Sequence, residues 1–385
     1  MKIALVADWL PLYAGAEHVI AEFHTLWRDA PIYTTIANHG HLGPLNDADI
    51  RTSSLQKWYK LCGKHHRVLL PLMPRALERI DLNGYDVILS SSHAIGKGII
   101  PPPSARHICY CHTPMRYAWE MEDEYLSDSR IPKIFWKPIK KRLNNIRRWD
   151  MTTAKRVDQF IANSTAVANR IKKIYNRDAI VIHPPVADRF FEEARERNQE
   201  SGIRNQEPGK GFALIPDSGL RNGCFLAIGR MVPYKRFDLL IECANKHQIP
   251  LHIAGIGPER ERLERLAGPS VTFLGFVPES DLPRVYSESK ALLLPQEEDA
   301  GIVPLEAQAC GTPVISFGRG GAMDTVKDGV TGVFFEEQTV ESLKDAIDRF
   351  EKIEFNREAI RKHAEQFSAE RFREKITQVI SKSSY

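Results

Sequence analysis

Pro295-Gln296-Glu297-Glu298-Asp299-Ala300-Gly301-Ile302-Val303-Pro304-Leu305-Glu306-Ala307-Gln308-Ala309-Cys310-Gly311 lies between two short apolar runs, Ala291 to Leu294 and Pro313 to Phe317. Apolar run, loop, short helix and apolar run make a parallel strand-helix-strand unit, and such units bind ligands beyond the carboxyl ends of their strands. Pro304 suits the first helical turn, where its missing N–H costs nothing, and Gly311 suits the C-terminal stop. The backbone N–H groups of Gly301, Ile302 and Val303 then lie near a helix N-terminus, an anion site. Glu298 and Glu306 flank it. A carboxylate beside a phosphate is repelled unless it has another task, and accepting hydrogen bonds from sugar hydroxyls is one. Two simpler readings compete. Glu306 in a first helical turn favours the helix dipole, and Glu297 to Asp299 also reads as a solvated loop.

Upstream, Cys224 to Ile228 begins the same strand-helix rhythm, continued by Leu251 to Gly257, Val271 to Gly275 and Thr331 to Phe335. Between the first of these strands and its helix stand Arg230 and Lys235, two cations beside a helix N-terminus that suit a diphosphate. A solvated basic turn is the alternative, common for such short charge runs. Val340 to Ile353 and Asn356 to Ser383 read as closing helices.

The first half repeats the pattern. Lys2 to Ala7, Pro31 to Thr35, Tyr85 to Ser90, Arg106 to Cys111, Gln159 to Asn163 and Ala179 to His183 are strand candidates. Gly15 sits between the first strand and its helix, where it is either a phosphate contact or a plain turn. Cys109, Cys111 and His112 invite a metal reading. Alternation puts the cysteines on one face and the histidine on the other, with no second cluster to complete a site, so no metal is expected there. His112, at a strand's carboxyl end, either caps the next turn or serves a ligand. Residues 130–149 hold eight basic side chains and no acidic one, with Trp136, Ile139, Leu143 and Ile146 at helical spacing. That is a basic amphipathic helix, whose apolar stripe packs on the domain or whose basic face meets an anionic membrane.

The chain has 385 residues, enough for two domains, and 43% hydrophobic content with no apolar run long enough to span a membrane. Six cysteines without two-residue pairing and an N-terminus unlike a signal peptide point to a cytoplasmic setting, with peripheral membrane contact compatible. Residues 1–185 carry 26 basic and 17 acidic side chains, and the remainder 27 and 32, so any anionic surface is met by the first half. No nucleic-acid-binding module is recognisable, which disfavours that partner. Residues 186–222 break the rhythm; Arg-Asn-Gln-Glu recurs at 197–200 and 204–207, and the piece reads as a linker with a polar insertion.

Glu298, seven residues, Glu306 and the tail Ala-Cys-Gly-Thr-Pro-Val together resemble the signature of family 4 glycosyltransferases of the GT-B fold. The resemblance implies two Rossmann-like α/β domains with parallel sheets facing a cleft. Residues 1–185 would form the acceptor side, 223–364 the nucleotide-sugar side, and a helix over 365–385 would pack back on the first domain. It further implies a metal-independent, retaining hexosyltransferase without a cofactor. Arg230 and Lys235 would hold the diphosphate, Gly15, Gly301, Ile302 and Val303 the donor, Glu298 the sugar and Glu306 the ribose, with His112 at the reacting centre. Paired glycines, usual in this family, are here Ala14 and Gly15. Cys-His-Thr-Pro-Met-Arg-Tyr at 111–117 resembles bacterial transferases of surface polysaccharide and lipopolysaccharide synthesis, several of which use GDP-mannose. The implied partners are a nucleotide diphosphate sugar and a glycan or lipid-linked glycan. A nucleotide-sugar epimerase of the same fold and a non-catalytic nucleotide-sugar-binding protein remain as alternatives.

Overall fold

The computed structural model describes residues 1–13, 15–119, 136–192 and 223–381. The chain divides into two compact units, Met1–His183 with Arg373–Tyr385, and Pro184–Phe372.

In the first unit seven strands, β1 (Ile3–Ala7), β2 (Ile32–Thr34), β3 (Ile50–Thr52), β4 (Val87–Ser92), β5 (Arg106–Cys111), β6 (Gln159–Ala162) and β7 (Ala179–Val181), form one sheet in the order β3-β2-β1-β4-β5-β6-β7. Every neighbouring pair is parallel. β1 and β4 are buried along their whole length, because helices cover both faces of a parallel sheet and leave no polar side. Alternate side chains enter different cores. Ala4, Val6 and Ile88 join Tyr59, Met73 and Leu77, while Cys109, Cys111, Phe160 and Ala162 join Val167 and Ile171. The helix Thr165–Tyr175 starts where expected, with the Ser164 hydroxyl accepting from the Val167 amide at 3.1 Å. The short strand β3 escaped the sequence reading, since three residues give too little periodicity.

The basic helix spans Trp136–Ala154; residues 130–135 lie outside the described residues. Leu143 is buried, and Ile146 and Trp149 pack against the core. At these positions the apolar stripe is internal.

The second unit orders its strands β10-β9-β8-β11-β12-β13, again all parallel. They are β8 (Phe225–Ile228), β9 (Leu251–Ala254), β10 (Val271–Gly275), β11 (Leu292–Leu294), β12 (Val314–Phe317) and β13 (Gly332–Phe335). Phe225, Ala227, Leu293 and Ile315 face one core with the helices Phe237–His247 and Val340–Phe350. Leu226, Leu292, Leu294 and Val314 face the other, with Tyr286, Leu305 and Ala309.

Two boundaries differ from the sequence reading. Val186, Phe190 and Phe191, expected in a linker, are buried in the second unit's core, and Val186 N–H bonds the Phe367 carbonyl at 2.9 Å. Three large apolar side chains just after Pro184-Pro185 outweigh the polarity that follows. The duplicated segment lies outside the described residues. The expected long terminal helix is two, Arg357–Ala364 and Ala369–Ser381, separated by a tight turn. Residues up to Phe372 belong with the second unit, and only those from Arg373 join the first.

Candidate active site

Ligands of doubly wound sheets lie where the strand order reverses, beyond the carboxyl ends. In the second unit that point is between β8 and β11. Lys235, in the turn after β8, and Glu298, in the loop after β11, meet there: Nζ and Oε1 are 2.7 Å apart. Gln296 donates its amide to the same carboxylate oxygen at 2.8 Å. Lys235 is 9% exposed. Burial pulls its pKa down, yet the adjacent Glu298 carboxylate holds the ammonium above the ordinary lysine value. Gly229 makes room for it, since a Cβ there would stand 3.0 Å from Nζ. The two residues assigned by sequence to diphosphate and sugar are therefore partners of each other. Gln296, two residues from Glu298 and given no role from sequence, joins them.

Gly301 is the N-cap of the helix Ile302–Ala309, with φ 66° and no side-chain cap. The first turn holds no acidic residue, so dipole stabilisation does not explain Glu306, one turn further on. The Glu298 carbonyl accepts from the Gly321 amide at 2.7 Å. Gly320 lies so close that a Cβ would be 2.3 Å from that carbonyl. The run Gly318-Arg319-Gly320-Gly321 thus supports the Glu298 loop through backbone contact, a role legible in its glycine content but not recognised.

Glu306 accepts from the hydroxyl of fully buried Tyr286 at 3.0 Å. Burial pushes its pKa up to about 7, opposed by Tyr286 and by Arg189. Arg189 pairs with Glu279 at 3.1 Å and lies over the Phe190 ring. Neither Tyr286 nor Arg189 was singled out from sequence. Arg230 is exposed.

In the first unit the order reverses between β1 and β4. Asp8, following β1, is buried and accepts backbone amides from His93 at 2.7 Å, Ala94 at 3.1 Å, Ile95 at 2.6 Å and Gly96. His93 Nδ1 reaches it at 2.8 Å. Burial opposes ionisation, but His93 and the amides hold the Asp8 carboxyl far below the usual range; against burial's opposite pull, Asp8 raises His93. His112, after β5, bonds the Ser91 hydroxyl at 2.7 Å. Burial, and then His93, push its pKa down to about 3, so it acts as a neutral imidazole. Ser90 bonds His107 and Ser92 bonds Asp8, so the serine hydroxyls hold the protein together here. Gly15 opens the helix Gly15–Leu26 with nothing near its Cβ position; Ala14 lies outside the described residues.

Cys109 and Cys111 are buried free thiols, and burial pushes Cys109 up to about 12. The sequence also contains an Asp-any-Asp triplet, Asp47-Ala48-Asp49, contrary to the expectation that it holds no such metal signature. It precedes β3, at the amino ends of the strands, where Asp49 pairs with Arg51 at 2.6 Å and Asp47 faces Arg28 at 3.8 Å. Among the described residues no group of three or more His, Cys, Asp or Glu is poised around a metal position.

Comparisons with known proteins bear on the family and the fold. The family "Glycosyltransferase Family 4" matches residues 13–189, and "Glycosyl transferases group 1" matches residues 218–367. The D-inositol 3-phosphate glycosyltransferase of Mycobacterium sp. strain KMS is 31% identical over 210 residues, covering 50% of this chain and 44% of that one. A GDP-mannose-dependent alpha-(1-6)-phosphatidylinositol monomannoside mannosyltransferase of Mycolicibacterium smegmatis is 33% identical over 140 residues, 32% of this chain and 37% of that one. The chain spans less than half the length of these curated relatives. Anabaena HepE, solved in complex with UDP, superposes with TM-score 0.66 at 19% identity, over 99% of this chain and 100% of HepE. Its likeness speaks for the fold alone. The two family matches cover most of the sequence, and both sheets have the parallel doubly wound order of that fold; the chain belongs to the family 4 glycosyltransferases of the GT-B fold.

Proposed function

We propose that the protein is a retaining, metal-independent hexosyltransferase. It moves a sugar from a nucleotide diphosphate donor to a lipid-linked or oligosaccharide acceptor in cell-surface polysaccharide synthesis. The observation that carries the reading is the Lys235–Glu298 pair beside the uncapped helix N-terminus at Gly301–Val303. Breaking the glycosidic bond leaves negative charge on the departing diphosphate. An ammonium and amides fixed in advance stabilise that charge more than the ground state, which lowers the barrier. Lys235 and Arg230 take the part a divalent cation plays elsewhere. Diphosphate binding draws Lys235 from Glu298, whose carboxylate then accepts hydroxyls of the sugar. Glu306 holds the ribose. His112, neutral and held by Ser91, donates or accepts a single hydrogen bond without carrying charge. A front-face path with retention is assigned because the likeness to family 4 implies it.

The donor assigned is GDP-mannose, supported by the sequence around His112 and by the mycobacterial relative named for that donor. HepE, solved with UDP-glucose, shares the fold, and UDP is therefore the nucleotide to set against GDP. The position assigned is peripheral on a membrane, to which the basic residues of 130–149 contribute charge. No helix among the described residues is long and apolar enough to cross one.

Melting with GDP or UDP decides between the donors. A ligand of the native state at 100 times its Kd adds about 2.7 kcal/mol, so the true nucleotide raises Tm by several degrees and the other does not. Lys235→Ala should weaken binding of that nucleotide roughly 10- to 100-fold, the worth of a charge-assisted hydrogen bond. Unchanged affinity would falsify the assignment. Release of a free epimeric sugar nucleotide without acceptor would replace transfer by epimerisation, and donor hydrolysis at background in the wild type that does not respond to His112→Ala would indicate a binding protein.

A further inference from the structure

We propose that residues 55–72 of the first unit form a docking surface for an anionic lipid bilayer. The helix Leu55–Leu61 and the following turn His66–Leu69 bury Leu55, Tyr59 and Leu69 in the core. Their outer side is unusual. Trp58 is 57% exposed, Leu61 76%, Val68 66% and Leu72 54%. Single exposed apolar side chains are normal on any protein, whereas four large ones within fifteen residues make a patch that calls for a partner.

The charges beside them choose that partner. Lys57, Lys60 and Lys64 are exposed between the apolar residues, with Arg75 just beyond. The sequence contains no Asp or Glu from Ile50 to Leu77. Protein interfaces are depleted in lysine, while apolar side chains interleaved with lysine and free of acids are the composition of a segment lying in a lipid headgroup layer. In the Trp136–Ala154 helix, by contrast, Leu143 is buried and Ile146 and Trp149 pack against the core.

The surface also adjoins the cluster around Asp8. The Trp9 ring stacks on His66 at 5.9 Å and meets the edge of His93 at 4.8 Å. His93 in turn bonds Asp8. A bilayer seated on residues 55–72 is therefore one aromatic ring from the carboxyl-end groups of the first sheet, where an acceptor carried on a lipid would be presented. Docking does not depend on the proposed reaction, and its test needs no turnover.

Sedimentation of the full chain with phosphatidylcholine vesicles, with and without phosphatidylglycerol, tests the inference. The wild type should sediment only when the anionic lipid is present, and salt should release it. Each basic residue near an anionic surface is worth about fivefold in partitioning. Lys57→Glu with Lys60→Glu should therefore lower binding by more than tenfold. Leu61→Ser with Leu72→Ser should lower it by about tenfold through lost apolar insertion. Circular dichroism checks that both variants stay folded. Wild type left in the supernatant with anionic vesicles overturns the proposal, as does wild-type binding by the serine variant, which would reduce the contact to diffuse charge attraction. Binding to an acidic soluble protein without vesicle binding overturns it in favour of a protein partner.

Discussion

Glu306 carries the sharpest residue-scale expectation. Its folded pKa, about 7, lies above the ordinary glutamate value, so the native state holds a proton that the unfolded chain has lost. The stability this contributes is complete below the unfolded pKa, near 4.5, and disappears as pH rises through about 7. Nucleotide binding should run the other way. A carboxylate accepts ribose hydroxyls more strongly than a carboxylic acid does, so affinity should rise between pH 6 and pH 8. Calorimetric titration of the nucleotide at those two pH values should show the rise in the wild type and a flat response in Glu306→Gln. A wild type without pH dependence would separate Glu306 from the ribose. Glu298 and Lys235 teach the complementary lesson. Spacing identifies both, yet their mutual bond belongs to the ligand-free protein and could be found only by folding β8 beside β11.

At the scale of elements, the Glu298 loop depends on the loop after β12. A Cβ on Gly320 would stand 2.3 Å from the Glu298 carbonyl, backbone against backbone, where no side-chain rotation relieves the clash. Gly320→Ala should therefore displace the Glu298 loop and weaken donor binding at least tenfold, at a stability cost of about 1–3 kcal/mol. Isothermal titration with the preferred nucleotide checks the first, and urea unfolding the second. Wild-type affinity in that variant would show that the loop's position does not matter to the donor. Most strands and helices were legible beforehand, because buried parallel strands are continuous apolar runs such as Ile3 to Ala7. The misses were physical too. β3 has three residues and half-buried side chains, and the break at Glu365–Phe367 falls inside a sequence whose apolar spacing continues across it.

For the whole molecule, the last helix has two allegiances, and its residues from Arg373 complete the first unit. Arg373 bonds Glu22 at 2.6 Å, and Ile376 and Ile380 are buried. The half-exposed ion pair is worth at most about 1 kcal/mol. Burying the two isoleucines contributes on the order of 3–6 kcal/mol, so packing is the larger effect. Ending the chain after Phe372 should lower the urea midpoint by a corresponding amount, while Glu22→Ala should hardly move it. Equal effects from the two changes would mean that the charge pair dominates.

The sequence by itself determined the two strand-helix series, the helix limits set by Ser164, Pro304 and Gly311, and the candidates Lys235, Glu298, Glu306 and His112. These follow from local periodicity, capping and spacing, which short stretches of chain express without their surroundings. Only the tertiary structure decided what those candidates touch. It gave Glu298 its partner Lys235, raised Glu306 by burial beside Tyr286, and lowered His112 by burial near His93. It also turned the stripe of Leu143 and Ile146 inward and left Trp58 and Leu61 outside. Burial and electrostatic coupling are sums over neighbours distant in sequence, and no local pattern records them.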